Sequence, residues 1–197
     1  MKRLLRDFYH FPRQRCRKIW IYVFDYVVLF NKLIDMTIEI KSLSNKYVNQ
    51  VKDLVLNIQK NEFNISISIE DQPDLLAIEE FYFSNGGNFF GAFADGELVG
   101  TIALVKFDDE SGAIRKMFVK KEFRGKEFNI AQKLFDFVTE YSRKNGITRL
   151  YLGTVSVLKA AQRFYERNGF EVLEKSQLPA EFPIMGSDDI FFSIRLD

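Results

Sequence analysis

The chain has one cysteine, Cys16, in 197 residues. An intrachain disulfide is therefore excluded, and so is a zinc site built from several cysteines. It also has one histidine, His10. That removes histidine clusters for metal and leaves a serine–histidine–aspartate triad with only a residue from the N-terminal leader to recruit. No metal is expected. The lone thiol fits a reducing compartment, and a cytoplasmic protein is the expectation. Charge of one sign is not in excess: 28 Lys and Arg oppose 27 Asp and Glu, for a net charge of +1. The electrostatic footprint of a nucleic-acid binder is missing. Long hydrophobic runs are missing too. The most apolar stretch, "RKIWIYVFDYVVLF" (Arg17–Phe30), holds only twelve residues between its basic front and Asn31, and Asp25 interrupts them. A spanning helix needs roughly 20 apolar residues.

What is present is a soluble, globular composition, with 47% hydrophobic and 28% charged residues. Phenylalanine is abundant, at 21 residues, which points to a Phe-rich core ahead of an aromatic-lined cleft. The near-neutral total hides an asymmetry. Residues 1–35 carry eight Lys and Arg against three Asp, so a basic leader precedes a mildly acidic remainder. The leader resembles a signal peptide in its basic front and apolar run, but Asn31, Lys32 and Asp35 follow where small residues would mark cleavage. Three readings of it stay open. Residues 17–30 form an interfacial segment that touches a membrane; or a helix docked on the domain or used in a homodimer; or residues 1–35 are an extension outside a domain spanning 36–197. The last is preferred.

From Met36 the pattern is regular. "MTIEIKSLS" alternates as a half-buried strand. Val48, Val51, Leu54, Val55 and Ile58 fall on one helical face. "NISISIEDQP" is irregular. "DLLAIEEFYFSNGG" predicts a short helix stopped by Gly86–Gly87. "NFFGAFADGELVGTIALVKF" predicts a hairpin turning at Asp95–Gly96. A turn at Asp108–Gly112 leads to the strand "AIRKMFV"; a helix over Asn129–Tyr141, the strand "RLYLGTV", the helix "LKAAQRFYERNGF" and the strands "EVLEK" and "IFFSIRL" follow. The order β-α-α-β-β-β-α-β-α-β-β predicts a three-layer α/β domain with a mixed central sheet flanked by helices.

One segment asks for chemistry. "VKKEFRGKEFNIAQKLFDFV" (Val119–Val138) sets a strand end, a basic turn and a helix start within a few residues. The first turn of a helix leaves N–H groups unpaired and carries partial positive charge, so it accepts anions. Gly125 lets a backbone approach a phosphate, and Arg124 and Lys126 add charge. Alone, the segment reads as a solvated basic turn capped by Asn129. It is neither a Walker A loop nor a G-x-G-x-x-G.

The pattern "V-x-K-x-x-R-G-K-x-x-x-x-A-x-x-L", followed by "A-x-x-F-Y-E-R-N-G-F" (Ala161–Phe170), resembles the GNAT superfamily of acetyl-CoA-dependent N-acetyltransferases. The resemblance runs from about Met36 to Asp197 and does not cover residues 1–35. Glu127 and Asn129 stand where that family usually has glycines, and Leu158 where its late helix often has an Asn near its start. The resemblance implies a GNAT-like fold with acetyl-CoA as co-substrate. The acetyl group would pass directly to a primary amine of a small molecule or peptide. It implies that the coenzyme's pantetheine arm lies along Met117, Phe118 and Val119, and that its diphosphate meets Arg124, Gly125, Lys126, Glu127, Phe128 and Asn129. It gives Tyr165 the role of protonating the departing thiolate, which suits a phenol that stays protonated at neutral pH. Phe164, one step earlier, is the core candidate. Glu70, Asp71 and Asp74, with Glu79 and Glu80 after them, are the acids expected near the acceptor pocket. Thr154 is expected to line that pocket and Phe182–Met185 to close over it. A catalytically silent acyl-CoA-binding sensor on the same fold is the alternative.

Overall fold

Alternating and β-branched stretches give seven strands in the computed structural model, which describes residues 36–196; every reading made for residues 1–35 lies outside the described residues. The strands are β1 (Ile38–Ser42), β2 (Asn88–Ala94), β3 (Glu97–Lys106), β4 (Ser111–Val119), β5 (Arg149–Thr154), β6 (Glu171–Leu173) and β7 (Ile190–Arg195). They form one mixed sheet in the order β1-β2-β3-β4-β5-β7-β6. All neighbours pair antiparallel except β4 and β5, which run parallel. The β2–β3 hairpin turns through Asp95 and Gly96, whose φ angles of 47° and 86° are both positive, as a tight primed turn requires.

Helix α1 (Val48–Asn57) buries Val51, Leu54 and Val55 against Phe89, Phe93, Leu98 and Ala103 on one face of the sheet. It widens into a π turn at Ile58–Glu62, which also buries Gln59. Helix α2 (Ile130–Lys144) lies on the other face. Its Phe137 and Tyr141 each sit with ring centroids 5.1 Å from Phe90. Phe89 and Phe90 are adjacent in β2, so their side chains point to opposite faces. Helix α3 (Lys159–Arg167) runs beside α2: Phe164 meets Phe135 edge-on at 6.0 Å, and Gln132 Nε2 donates to Asn168 Oδ1 at 2.7 Å. The three layers and the mixed sheet are those the sequence pattern predicts. Eight phenylalanines and three tyrosines are buried, so half of the aromatic residues among the described ones go to the core.

One predicted element differs. "DLLAIEEFYFSNGG" is not a continuous helix. It breaks into a 3₁₀ turn at Pro73–Leu75, a π turn at Glu79–Phe83 and a 3₁₀ turn at Ser84–Gly86. Leu75, Ile78 and Tyr82 are fully buried at helical spacing, but other bonds capture the chain. The Glu79 amide donates to the Asn45 side chain at 3.1 Å, and the Tyr82 hydroxyl donates to Asp74. Local aromatic content (Phe81, Tyr82, Phe83) adds little helix propensity to resist this.

Strands β4 and β5 stay paired only at Ser111↔Arg149, Gly112↔Leu150 and Ala113↔Tyr151. Beyond Ala113 they diverge, and β5 keeps its ladder with β7 as far as Thr154↔Ile190. The sheet therefore opens in its middle, between the second half of β4 and the end of β5.

Candidate active site

Two cavities meet at this opening. The first, about 350 Å³, is a mostly apolar slot between Met117, Phe118 and Val119 of β4, Ala131 at the start of α2, and the Val157–Ala161 segment with Phe164 and Tyr165. The second, about 260 Å³, runs from the middle of β4 to the loop before β7. Its wall includes Gln59, Ile65, Ile67, Gln72, Arg115 and Lys116 on one side and Thr154, Phe182, Pro183, Met185 and Asp188 on the other. Met117, Phe118, Leu158 and Tyr165 border both.

A bulge in β4 shapes the boundary. Thr101 pairs with Phe118 and Ala103 with Arg115, so Ile102 faces two residues, Lys116 and Met117. Lys116 takes a left-handed φ of 49°, a conformation that costs a non-glycine residue about 1–3 kcal/mol. Three interactions hold it. The Thr101 hydroxyl donates to the Lys116 carbonyl at 2.7 Å. The Lys116 ammonium reaches Asp74 at 3.3 Å and donates to Gln72 Oε1. The Lys116 and Asp74 side chains are 6% and 5% exposed. Gln72 pairs reciprocally with Gln59 on the π turn. Burial lowers the Lys116 pKa, against the opposing pull of Asp74. Asp74, expected as a proton acceptor near the pocket, is instead bound to Lys116 and to the Tyr82 hydroxyl. A carboxylate so engaged is a structural counter-ion.

The turn after β4 has an open backbone. Gly125 has φ of 106°, and no atom lies within 4 Å of where a Cβ would sit. Asn129 also takes a left-handed φ, 53°, and its side chain makes no cap bond to the helix; the expected Asn129 side-chain cap is absent because left-handed backbone turns the residue away from the capping geometry. The first helical bond runs from Lys133 N–H to the Asn129 carbonyl, at 3.0 Å. The N–H groups of the first turn of α2 are thus left for an anion. Lys126 and Glu127 are exposed, and Phe128 packs on Phe123 with centroids 5.2 Å apart. The Arg124 guanidinium is already engaged. Its Nε donates to the Val119 carbonyl at 2.7 Å, and its Nη1 lies 2.8 Å from Glu62.

Tyr165 is buried, and its ring packs against Phe170 and Phe192. Burial raises its pKa, and the charge of Asp188 raises it further. The phenol is held protonated. Asp188 packs on Gly153 so closely that a Cβ there would stand 2.2 Å from Oδ2. Oδ2 also accepts the Met185 amide at 3.2 Å. Burial raises the Asp188 pKa, while Arg115 and Lys116 pull it down and Asp189 pushes it up. Arg115 donates to the Pro183 carbonyl at 2.6 Å and has no ion-pair partner within 4.0 Å among the described residues.

Of the residues singled out by sequence, Met117, Phe118, Val119, Arg124 and Tyr165 gather at the slot, and Thr154 lines the second cavity. Phe182, Pro183 and Met185 line it as well, while Ile184 is exposed. Glu70 and Asp71 do not reach either cavity. The Ser68 hydroxyl holds Glu70 below its ordinary value, and the Ser68 amide, 2.8 Å away, does the same for Asp71. Glu80 accepts from Asn45. Sequence reasoning passed over Arg115, Lys116 and Asp188. The bulge that sets Arg115 and Lys116 depends on the neighbouring strand, and Asp188 stands in a loop with no motif.

A profile of the acetyltransferase (GNAT) family matches residues 53–170. N-acetylaspartate synthetase of Danio rerio is 32% identical over 129 residues, 62% of this chain and 44% of that protein. This chain thus spans less than half the length of that curated relative. A GNAT-family acetyltransferase of Staphylococcus aureus Mu50 superposes with a TM-score of 0.78 at 38% identity, over 82% of this chain and all of that one. N-acetylglutamate synthase from Neisseria gonorrhoeae, complexed with coenzyme A and N-acetyl-glutamate, shares the fold with a TM-score of 0.63 at 18% identity, over 82% of this chain and 35% of that one. The family match and the shared fold together define an acyltransferase. The chain belongs to the GNAT acetyltransferase family.

Proposed function

We propose that the protein moves the acetyl group of acetyl-CoA directly to a primary amine of a small molecule or peptide, and that favoured acceptors carry a carboxylate near the amine. The observation that carries this reading is Tyr165, which borders both cavities. A thioester lying in the apolar slot and an amine entering the second cavity meet at its hydroxyl. The slot suits a pantetheine arm: it is narrow and apolar and runs along a strand stretch, Ile114–Val119, that lacks a pairing partner on its β5 side. The amides of Gly125–Phe128 and the first turn of α2 take the diphosphate, the Asn129 amide being bonded to the Gly125 carbonyl at 3.1 Å. Arg124 braces that turn through Val119 and Glu62.

Alignment of amine and thioester supplies the largest part of the rate, up to about 7–11 kcal/mol for well-oriented partners. Backbone N–H groups at the β4 bulge hold the carbonyl oxygen as charge grows on it. Tyr165 protonates the leaving thiolate. The carboxylate preference rests on Arg115, a cation in the acceptor wall without an ion-pair partner among the described residues. The name of the relative, N-acetylaspartate synthetase, is in keeping with it. The test is release of free CoA from acetyl-CoA with a panel of amino acids and of matched amines lacking the carboxylate. Amine-dependent release that is stronger with the amino acids supports the reading. Binding of acetyl-CoA without release in the presence of any amine would make the chain a silent acyl-CoA-binding protein instead.

A further inference from the structure

Direct transfer needs a group that takes a proton from the incoming ammonium, because only the neutral amine has a lone pair to attack with. The acids expected for this job from sequence are tied up elsewhere. Asp74 is the buried partner of Lys116, and Glu70 and Asp71 are held by Ser68 outside the cavity. Among the described residues, the lining of the acceptor cavity contains one carboxylate, Asp188, and neither histidine nor cysteine. Its other ionisable groups are unsuited. Lys116 is held by Asp74 and Gln72, Arg115 is a permanent cation, and the Tyr165 phenol is held protonated.

We infer that Asp188 is the general base of this enzyme, facing the Tyr165 hydroxyl across the acceptor cavity. The inference rests on the acetyltransferase reading above. The geometry is specific. Gly153 has no side chain, and that vacancy is what lets the carboxylate lie flat on β5 beside Thr154. The Met185 amide fixes Oδ2, and no bond to Oδ1 exists among the described residues. Four ionisable groups face it: Arg115 and Lys116 from β4, Tyr165 from α3 and Asp189 from its own loop. The two cations keep it ionised near neutral pH, while its partial burial makes it a stronger base than an exposed aspartate.

The step balances as follows. The substrate ammonium gives one proton to Asp188. The freed lone pair forms the C–N bond to the thioester carbon as the carbonyl π pair moves to oxygen. That pair returns as the C–S bond breaks, and the thiolate takes the Tyr165 proton. The second proton on nitrogen passes through solvent to the phenolate, and Asp188 releases its proton to water.

The experiment compares wild type, Asp188→Asn and Gly153→Ala with the best acceptor of the amino-acid panel, from pH 6 to 10. Asn keeps the shape and an acceptor for the Met185 amide, and calorimetry with CoA reports whether each variant is folded and binds. At pH 7 we expect kcat/KM of Asp188→Asn to fall on the order of 10²-fold with CoA affinity unchanged. The deficit should shrink as pH approaches the amine's own pKa, where no base is needed. Gly153→Ala, whose Cβ displaces the carboxylate, should follow the same pH pattern. An active wild type with an Asp188→Asn profile of unchanged shape, whatever its height, overturns the role of Asp188 and leaves the acetyltransferase reading standing. A wild type that releases no CoA with any amine overturns that reading and this inference together.

Discussion

Arg124 Nη1 lies 2.8 Å from Glu62 Oε2, which ties the turn that opens α2 to the π turn that ends α1. Arg124 stands at one wall of the apolar slot, with Phe63 close to the guanidinium. Glu62 neutralises a cation beside the proposed diphosphate site. Glu62→Gln should therefore tighten CoA binding by up to about fivefold at low salt, the range of a part-exposed ion pair. Calorimetry at two ionic strengths checks it, because the gain should shrink at high salt.

Tyr165→Phe removes the hydroxyl and keeps the ring packed on Phe170 and Phe192. Turnover should fall on the order of 10²-fold with CoA affinity nearly unchanged. Since burial raises the phenol's pKa, wild-type kcat should show no loss from its ionisation between pH 7 and 9. A parallel loss of CoA affinity, measured by calorimetry, would make the residue structural only.

Lys116→Met leaves Asp74 buried with only the Tyr82 hydroxyl for company. Breaking such a buried pair costs about 3–5 kcal/mol, whereas removing both partners costs much less. Chemical denaturation of Lys116→Met, Asp74→Leu and the double variant should show the single changes costing more than the double.

Asp188→Asn should be at least as stable as wild type. Burial raises the Asp188 pKa, so the folded chain holds that proton more tightly than the unfolded chain does. The sign follows: this group favours folding as pH falls through the window above 3.8, and its ionised form weighs against folding at neutral pH. Asn removes that burden and keeps the Met185 bond. Thermal melting at pH 7 should show a rise on the order of 2 °C, and the difference from wild type should narrow toward pH 4.

Most of the fold was legible because it is written in periodicity. Ile38 and Ile40 alternate, Val51, Leu54 and Val55 repeat at helical spacing, and Asp95–Gly96 names its own turn. The segment after Pro73 misled because its helical spacing of Leu75, Ile78 and Tyr82 is real, while Asn45, 34 residues before Glu79, takes the amide that would have continued the helix. The residues that line the apolar slot were readable for a similar reason: Val119, Arg124 and Tyr165 lie within two short motifs. Those of the second cavity were not. A bulge at Lys116 depends on Thr101 in the neighbouring strand, and Asp188 owes its position to a missing side chain at Gly153. Neither relationship has a local signature.

The parting of β4 from β5 places unfinished main chain at the central seam of the sheet, where most folds leave it only along their margins. A guest laid into that seam, as proposed, would bond to backbone, which most side-chain substitutions leave unchanged. Side chains around the second cavity remain free to vary, so one scaffold can keep a constant donor while its choice of recipient drifts.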